Sequence, residues 1–137
     1  MPSQLPAPAP EPTPETEAFW SATAEGRLLL ARCDECDAVI WYPRAFCPAC
    51  ASLSVSWIEA SGNGTVYSFT IVHRSMGRFR EAVPYVLAYV ELAEGPRVMT
   101  NIIGCDPDAV YIGQAVRVVF CDTGEGSALY RFEPVAT

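Results

Sequence analysis

The chain contains no lysine and a single histidine, His73, and all nine of its basic residues are arginines. Without lysine, it cannot form a Schiff base, supply a phosphate-loop lysine or use lysine to activate a nucleophile. His73 stands beside Arg74 with no companion residues that make up a catalytic set, so we interpret it as a loop residue. The sequence therefore predicts no catalytic residues.

Positive charge is scarce throughout, with sixteen acidic residues against the nine arginines and a net charge of -7. Acidic residues outnumber or equal basic ones in each of residues 1–26, 27–56 and 57–137, so binding to a polyanion is disfavoured. No run of about 18 apolar residues is present, which predicts no membrane span. The N-terminus lacks a basic segment followed by an apolar one, and we expect a cytoplasmic protein with reduced cysteines.

Four cysteines form two hooks of the type Cys-x-x-Cys, one from Cys33 to Cys36 and one from Cys47 to Cys50. Each hook turns two thiolates toward one ion, and two hooks supply the four soft ligands of a closed tetrahedral site. Because such a shell leaves no open position, the spacing predicts a structural Zn(II) ion. Redox dithiols or two disulfides are the alternatives for hooks of this kind.

The position after the second cysteine of each hook often carries glycine, because a positive φ there lets backbone N–H groups reach sulfur. Asp37 and Ala51 occupy these positions. Aspartate accepts a left-handed backbone better than alanine does, so the second hook is predicted to be the looser one.

The first 26 residues divide into a tail and a helix. Residues 1–12 contain five prolines and too little apolar surface for a core, which predicts a disordered tail. Thr13 is a suitable N-cap and Pro14 a suitable first helical residue, so a helix is predicted over residues 13–26, ending at Gly26.

The remaining chain predicts a mostly β protein. Residues 27–56, with short strands on either side of the cysteine hooks, form a predicted zinc ribbon. Residues 57–137 form a predicted five-stranded barrel of the OB type, in which residues 57–73 are one long bent strand. A helical turn at Asp106 and Pro107, between the third and fourth strands, favours the OB barrel over a continuous five-stranded meander.

The order of these motifs resembles the family of zinc-ribbon and OB-fold proteins known as domain of unknown function thirty-five. The motifs that carry the resemblance span residues 19–113 and are Phe19-Trp20, Gly26-Arg27-Leu28, Cys33-x-x-Cys36, Pro43-Arg44, Cys47-Pro48-x-Cys50, Gly62-x-Gly64-Thr65-Val66, Thr70-x-Val72, Pro84-Tyr85-Val86, Asn101-Ile102-Ile103-Gly104-Cys105 and Ile112-Gly113. The resemblance implies a small accessory subunit in acyl-CoA metabolism. Its partner would be a thiolase-like enzyme or a hydratase, and the partner would carry the catalytic residues.

An acyl-CoA has several phosphates and an apolar part, so its site needs cationic donors beside an apolar slot. Within the implied function, we expect contacts from the arginine-rich loop and from the strand before it, which is predicted to place Tyr67, Phe69 and Ile71 on one face. The ligand-binding candidates are Arg74, Arg78, Phe79, Arg80, Tyr67 and Phe69. A solvated loop is the alternative interpretation of these arginines.

Five aromatic residues of the helix and the ribbon form the predicted partner surface, because so small a core is not expected to bury them all. They are Phe19, Trp20, Trp41, Tyr42 and Phe46. For Phe19 and Trp20, packing against the chain's own ribbon is the alternative.

Two other functions compete with the accessory subunit. OB barrels bind single-stranded nucleic acid through exposed aromatics and positive charge, but the barrel segment here is acidic. The other hypothesis is an independent enzyme, which turnover of an acyl-CoA by the purified chain alone would support.

Overall fold

The computed structural model describes residues 5–135, which form one α-helix, a three-stranded sheet and a closed five-stranded barrel. The mostly β fold class is confirmed. No helix among these residues is long and apolar enough to span a membrane. The elements are α1 (Glu17–Ala24), β1 (Leu29–Cys33), β2 (Val39–Ile40), β3 (Val55–Glu59), β4 (Asn63–Val72), β5 (Tyr85–Leu92), β6 (Arg97–Ile102), β7 (Ala115–Asp122) and β8 (Ala128–Pro134), with short 3-10 helices at Gly77–Ala82 and Pro107–Ala109.

The barrel has the strand order β4-β5-β6-β8-β7 and closes because β4 also pairs with β7. In a meander β6 would pair with β7; here β6 meets β8 in parallel through Ile102 and Phe132, so the predicted OB topology is confirmed. The predicted turn after β6 is present, and the Asp106 side chain accepts a hydrogen bond from the backbone N–H of Asp108.

Helix α1 is shorter than predicted at its N-terminus. The Thr13 carbonyl accepts hydrogen bonds from the backbone N–H groups of Thr16 and Glu17, which makes residues 13–16 a turn that leads into the helix. Thr16, rather than Thr13, is therefore the N-cap residue. At the other end the helix stops before Gly26, which has the positive φ of 75° expected of a helix-terminating glycine.

The predicted disordered tail differs from the structure where the structure describes it. Residues 5–10 are half-buried, and the carbonyls of Leu5 and Pro6 accept hydrogen bonds from the side chain of Arg131 on β8. Composition predicted disorder because the segment is too polar and proline-rich to form a core of its own. In the structure the segment packs on the surface of the barrel. Residues 1–4 of the predicted tail lie outside the described residues.

The predicted long strand over residues 57–73 is two strands in two different sheets. Strand β3 pairs with β1 in the ribbon, and β4 begins the barrel after a break at residues 60–62. Gly62, with a φ of 86°, lies in this break, and a Cβ there would approach the Val118 side chain to 2.7 Å. The last ribbon strand thus extends past the boundary predicted at residue 57.

The ribbon and the barrel share one hydrophobic core. Leu28, just before β1, and Leu30 within it cluster with barrel residues such as Val90 and Phe132. The cysteine end of the ribbon has a small separate cluster of Ala31, Cys33, Ile40 and Cys47. The barrel therefore stabilises one end of the ribbon, and the cysteine site stabilises the other.

A β-bulge interrupts β4 between Val66 and Ser68. The extra residue, Tyr67, is 47% exposed, whereas Phe69 and Ile71 pack against the core. The prediction that Tyr67, Phe69 and Ile71 share one face is therefore wrong, because a bulge shifts the alternation of side chains along the strand by one residue.

Candidate metal centre and ligand loop

The four cysteines of the two hooks converge at one end of the ribbon. Their Sγ atoms all lie within 4.8 Å of one another, with 3.6 Å between those of Cys33 and Cys50 and 3.5 Å between those of Cys36 and Cys47. Four sulfurs held about 2.3 Å from a tetrahedral Zn(II) lie roughly 3.8 Å apart, so the cluster fits that ion. The ribbon is thus a four-cysteine zinc-ribbon domain.

The backbone of the first hook favours the thiolate form of its first cysteine. The N–H of Cys36 donates toward the Sγ of Cys33 at 3.5 Å and lowers the pKa of that thiol to about 7. Cys33 and Cys47 are fully buried, whereas Cys36 and Cys50 face solvent. Two buried and two exposed cysteines place the four-thiolate shell near the protein surface, which suits a structural role.

Both hooks adopt the left-handed backbone predicted for them, with φ values of 62° at Asp37 and 64° at Ala51. The second hook is not looser than the first: the N–H of Ala51 reaches the Cys47 carbonyl at 2.8 Å, and that of Asp37 reaches the Cys33 carbonyl at 3.0 Å. The prediction of a looser hook is wrong because the alanine adopts the same strained geometry.

The predicted exposed surface of five aromatics is wrong for its helical members. Phe19 is fully buried and Trp20 is 7% exposed, and Phe19 lies edge-on to Trp41 at 5.5 Å and to Tyr130 of the barrel at 5.9 Å. The Trp20 Nε1–H donates to the Tyr42 hydroxyl at 2.7 Å. Burial among these rings raises the pKa of the Tyr130 hydroxyl. The helix therefore joins the ribbon to the barrel.

Trp41 is half-buried and packs against the same core, whereas Tyr42 and Phe46 remain 38% and 42% exposed. The structure adds an exposed ribbon residue that the sequence analysis did not select, Trp57 on β3, which is 40% exposed. Strand β3 is an edge strand of the ribbon sheet. The sequence analysis missed this position because it treated residues 57–73 as one strand of the barrel.

The arginine-rich loop after β4 is partly a 3-10 helix, Gly77–Ala82, which folds onto the first residue of β5. The ring of Phe79 lies 5.6 Å from that of Tyr85, and the Ser75 Oγ lies 3.4 Å from the Tyr85 hydroxyl. The three arginines of this loop, Arg74, Arg78 and Arg80, are all exposed.

Within residues 5–135 these three arginines form no ion pair. By contrast, Arg27, Arg97 and Arg117 each contact a glutamate at 2.9 to 3.1 Å. Three guanidinium groups against the single carboxylate of Glu81 give this loop a local excess of positive charge.

Of the two β4 residues predicted to line an apolar slot beside this loop, Phe69 lines a groove, and Tyr67 stacks under the Arg97 guanidinium, 3.8 Å from the ring centroid. A groove of about 240 Å³ runs along the outer face of β4 and β5, lined by Ser68, Phe69, Thr70, Leu87, Ala88, Tyr89 and Met99. Leu87, Tyr89 and Met99 are 36%, 42% and 50% exposed. Side chains alternate between the core and the outer face along β5, and this pattern in the sequence could have shown that Leu87 and Tyr89 face outward.

Two family models cover most of the chain. The model described as the rubredoxin-like zinc ribbon domain of ChsH2 matches residues 20–56, and the model described as the C-terminal OB-fold domain of ChsH2 matches residues 57–121. Both descriptions agree with the ribbon and the barrel of the structure.

Related proteins share these domains. A probable enoyl-CoA hydratase alpha subunit of Thermomonospora curvata is 37% identical over 85% of this chain, but the match covers only 37% of that relative's length. A scaffold protein of Methanocaldococcus jannaschii, named for its DUF35 domain, is 36% identical over 79% of this chain and 82% of its own.

Among solved structures, one named Ltp2-ChsH2(DUF35) aldolase contains a chain that superimposes with a TM-score of 0.83 at 33% identity. The match covers 92% of this chain and 98% of the other. With the two domain models and these relatives in agreement, the chain belongs to the DUF35 family of ChsH2-type proteins, which combine a rubredoxin-like zinc ribbon with an OB-fold domain.

Proposed function

We propose that this chain is a non-catalytic accessory subunit that binds acyl-CoA and forms a complex with a larger enzyme in lipid or steroid acyl-CoA metabolism. The partner is a thiolase-like enzyme, such as a thiolase, an aldolase or an acyltransferase, or a hydratase. The observation that carries the proposal is the likeness to the chain in the Ltp2-ChsH2(DUF35) aldolase, which spans nearly all of both chains. We place the complex in the cytoplasm, where thiols remain reduced.

The absence of a catalytic set supports an accessory role. His73 is exposed at the end of β4, and within residues 5–135 its side chain has no hydrogen-bond partner. Among those residues, no second group lies beside this histidine to orient it as a general base. The reaction is therefore assigned to the partner.

We assign the partner contact to exposed aromatic residues of the ribbon. Tyr42, Phe46 and Trp57 keep between 38% and 42% of their surface accessible, and aromatic residues are enriched at the centres of protein interfaces. Phe19 and Trp20 support this surface from beneath, since the Tyr42 hydroxyl accepts the Trp20 indole N–H. Trp41 lies between the buried helical aromatics and the exposed ribbon aromatics, in contact with Phe19 and with Tyr42.

We assign acyl-CoA binding to the arginine loop and the groove beside it. Guanidinium groups bind phosphates through charge-assisted hydrogen bonds, and among the described residues Arg74, Arg78 and Arg80 form no ion pair with a carboxylate. The groove along β4 and β5 supplies apolar surface from Leu87 and Tyr89. Phe79 of the loop packs against Tyr85, which lies two residues before Leu87 on β5.

The four cysteines hold one Zn(II) ion in this proposal. The ion's chemistry is structural: it replaces a core that the cysteine end of the ribbon is too small to form. Cys33, Cys36, Cys47 and Cys50 would be its ligands.

The experiment is co-expression of the chain with a thiolase-like enzyme or a hydratase from the same cell, followed by purification through a tag on this chain. We expect a stable complex that turns over an acyl-CoA, whereas the isolated chain does not. Replacing Phe46 and Trp57 by serine should release the partner, because both rings are partly exposed and neither belongs to a hydrophobic core cluster.

Ile112→Ser provides the matched control, since Ile112 is 68% exposed on a barrel loop and should leave the complex intact. A chain that remains a monomer in the presence of every such enzyme would refute the accessory role. Turnover of an acyl-CoA by the isolated chain would support an independent enzyme instead.

A further inference from the structure

Arg131 is a charged residue buried on the outside of the barrel. It lies on β8 opposite Val119 of β7 and is only 3% exposed. Neighbouring Phe132 points into the barrel core, so Arg131 points away from it. Burial of a guanidinium carries a large desolvation cost unless an anion or several hydrogen bonds compensate for it.

The partners of Arg131 are two neutral carbonyls. Its Nη1 donates to the Leu5 carbonyl at 3.4 Å, and its Nη2 donates to the Pro6 carbonyl. Within residues 5–135 no carboxylate lies within ion-pair distance of it. Glu133, the nearest acidic residue on the same side of β8, is engaged by the Arg117 Nη2 at 3.1 Å.

The segment that covers Arg131 is held by few other polar contacts. Residues 5–12 include four prolines, which have no N–H to donate, and their described hydrogen bonds are the two from Arg131. The segment then passes the turn between β7 and β8, where Pro10 and Pro12 line a cleft together with Ser127. Arg131 is thus the main polar anchor of the segment.

We propose that Arg131 is the cationic centre of an oxyanion-binding site and that residues 5–12 cover this site. The planar guanidinium matches a phosphate or a carboxylate in a bidentate arrangement, and such charge-assisted bonds are stronger than bonds to neutral carbonyls. An oxyanion therefore displaces the Leu5 and Pro6 carbonyls, and the segment separates from β8. This site is distinct from the arginine loop after β4.

The test is ¹⁵N relaxation of the full chain, read at the backbone amides of residues 5, 7, 9 and 11, with inorganic pyrophosphate and citrate as probes. We expect these amides to be rigid without a probe and to become mobile in a saturable way as a probe is added. The Arg131 Nε–H resonance should shift in parallel. A response to pyrophosphate alone identifies a phosphate site, and an equal response to citrate identifies a general oxyanion site.

Two variants and a control separate the site from its surroundings. Arg131→Gln should leave residues 5–12 mobile from the start and abolish the response to the probes. Arg131→Lys keeps the charge but loses the bidentate geometry, so the apparent affinity should fall at least tenfold. Arg32→Gln, which removes an exposed arginine from β1 of the ribbon and leaves Glu133 paired with Arg117, should preserve the response.

Rigid amides that ignore both probes would overturn the proposal, as would an unchanged response in Arg131→Lys. Should Arg131→Gln fail to fold, the titration of the unmodified chain and the lysine variant still decide the outcome. None of these results depends on acyl-CoA or on a partner enzyme.

Discussion

At the scale of single residues, Ala51 has the least favourable backbone conformation for its side chain. Its φ of 64° lies in the left-handed region, where a β-carbon costs about 1–2 kcal/mol. The turn at Ala51 nevertheless forms, because Cys47 and Cys50 just before it converge with the other two cysteines on one site. Part of the stabilisation from the metal site therefore offsets the backbone strain at Ala51.

Ala51→Gly is expected to raise the free energy of unfolding of the zinc-loaded chain by about 1 kcal/mol, because glycine adopts this φ without strain. Urea denaturation followed by circular dichroism measures the change. Ala49→Gly, at an exposed position in the same hook, should instead lower stability slightly. Equal effects from the two substitutions would show that Ala51 is not strained.

Single residues also mark the limits of what the sequence predicts. The spacing of Cys33, Cys36, Cys47 and Cys50 determines the metal site because its chemistry is local. The burial of Phe19 is not local: its contacts come from the ribbon and from β8, about a hundred residues away in sequence. Only the assembled fold shows that its ring belongs to the core.

At the scale of elements, sequence patterning predicted the five-stranded OB barrel that the structure contains. Each barrel strand has one face in the core, and that constraint is visible in the alternation of side chains. The long strand over residues 57–73 was predicted wrongly because alternation does not reveal which sheet a strand joins. The bulge at Tyr67 was missed because it involves one extra residue with no local signal.

The loop after β4 is the element on which acyl-CoA binding depends. Replacing Arg74, Arg78 and Arg80 together by alanine should weaken acyl-CoA binding by the assembled complex by roughly a hundredfold or more, since charge-assisted contacts are worth about 1.5–3 kcal/mol each. Isothermal titration calorimetry measures the affinity. The fold should persist, because the three side chains are exposed.

Arg27→Ala with Arg117→Ala is the control for this loop. It removes two exposed arginines that are already paired with glutamates, so the affinity for acyl-CoA should not change by more than a few fold. Unchanged affinity of the triple variant for acyl-CoA would mean that the phosphate site lies on the partner enzyme.

At the scale of the whole molecule, the shared core makes the ribbon and the barrel one structural unit. Leu28 and Leu30 of the ribbon pack with barrel valines, and α1 contacts both parts. Loss of order in the ribbon therefore exposes apolar surface of the barrel as well. We expect the two parts to unfold together.

The purified chain should contain about one zinc ion, and its removal by a chelator should lower the melting temperature of the entire chain in one transition. Cys36→Ser should have the same effect, because binding at such sites contributes on the order of 10 kcal/mol. Metal analysis and differential scanning calorimetry give the two readouts.

Cys105→Ser is the matched control, since Cys105 lies outside the metal cluster and should leave zinc content unchanged. Two separate transitions after chelation would mean that the barrel is stable without the ribbon. Full zinc content in Cys36→Ser would refute the four-cysteine site.

The closure of the barrel between β6 and β8 has a mechanical consequence. Apart from the single pair of Ile102 and Phe132, this junction relies on the Ile103 N–H bonded to the Phe132 carbonyl and on the Thr100 hydroxyl bonded to the Tyr130 carbonyl. The other junctions between barrel strands have three or more residue pairs each. Because this seam has the fewest paired residues, we expect the barrel wall to part first between β6 and β8 when the molecule is pulled.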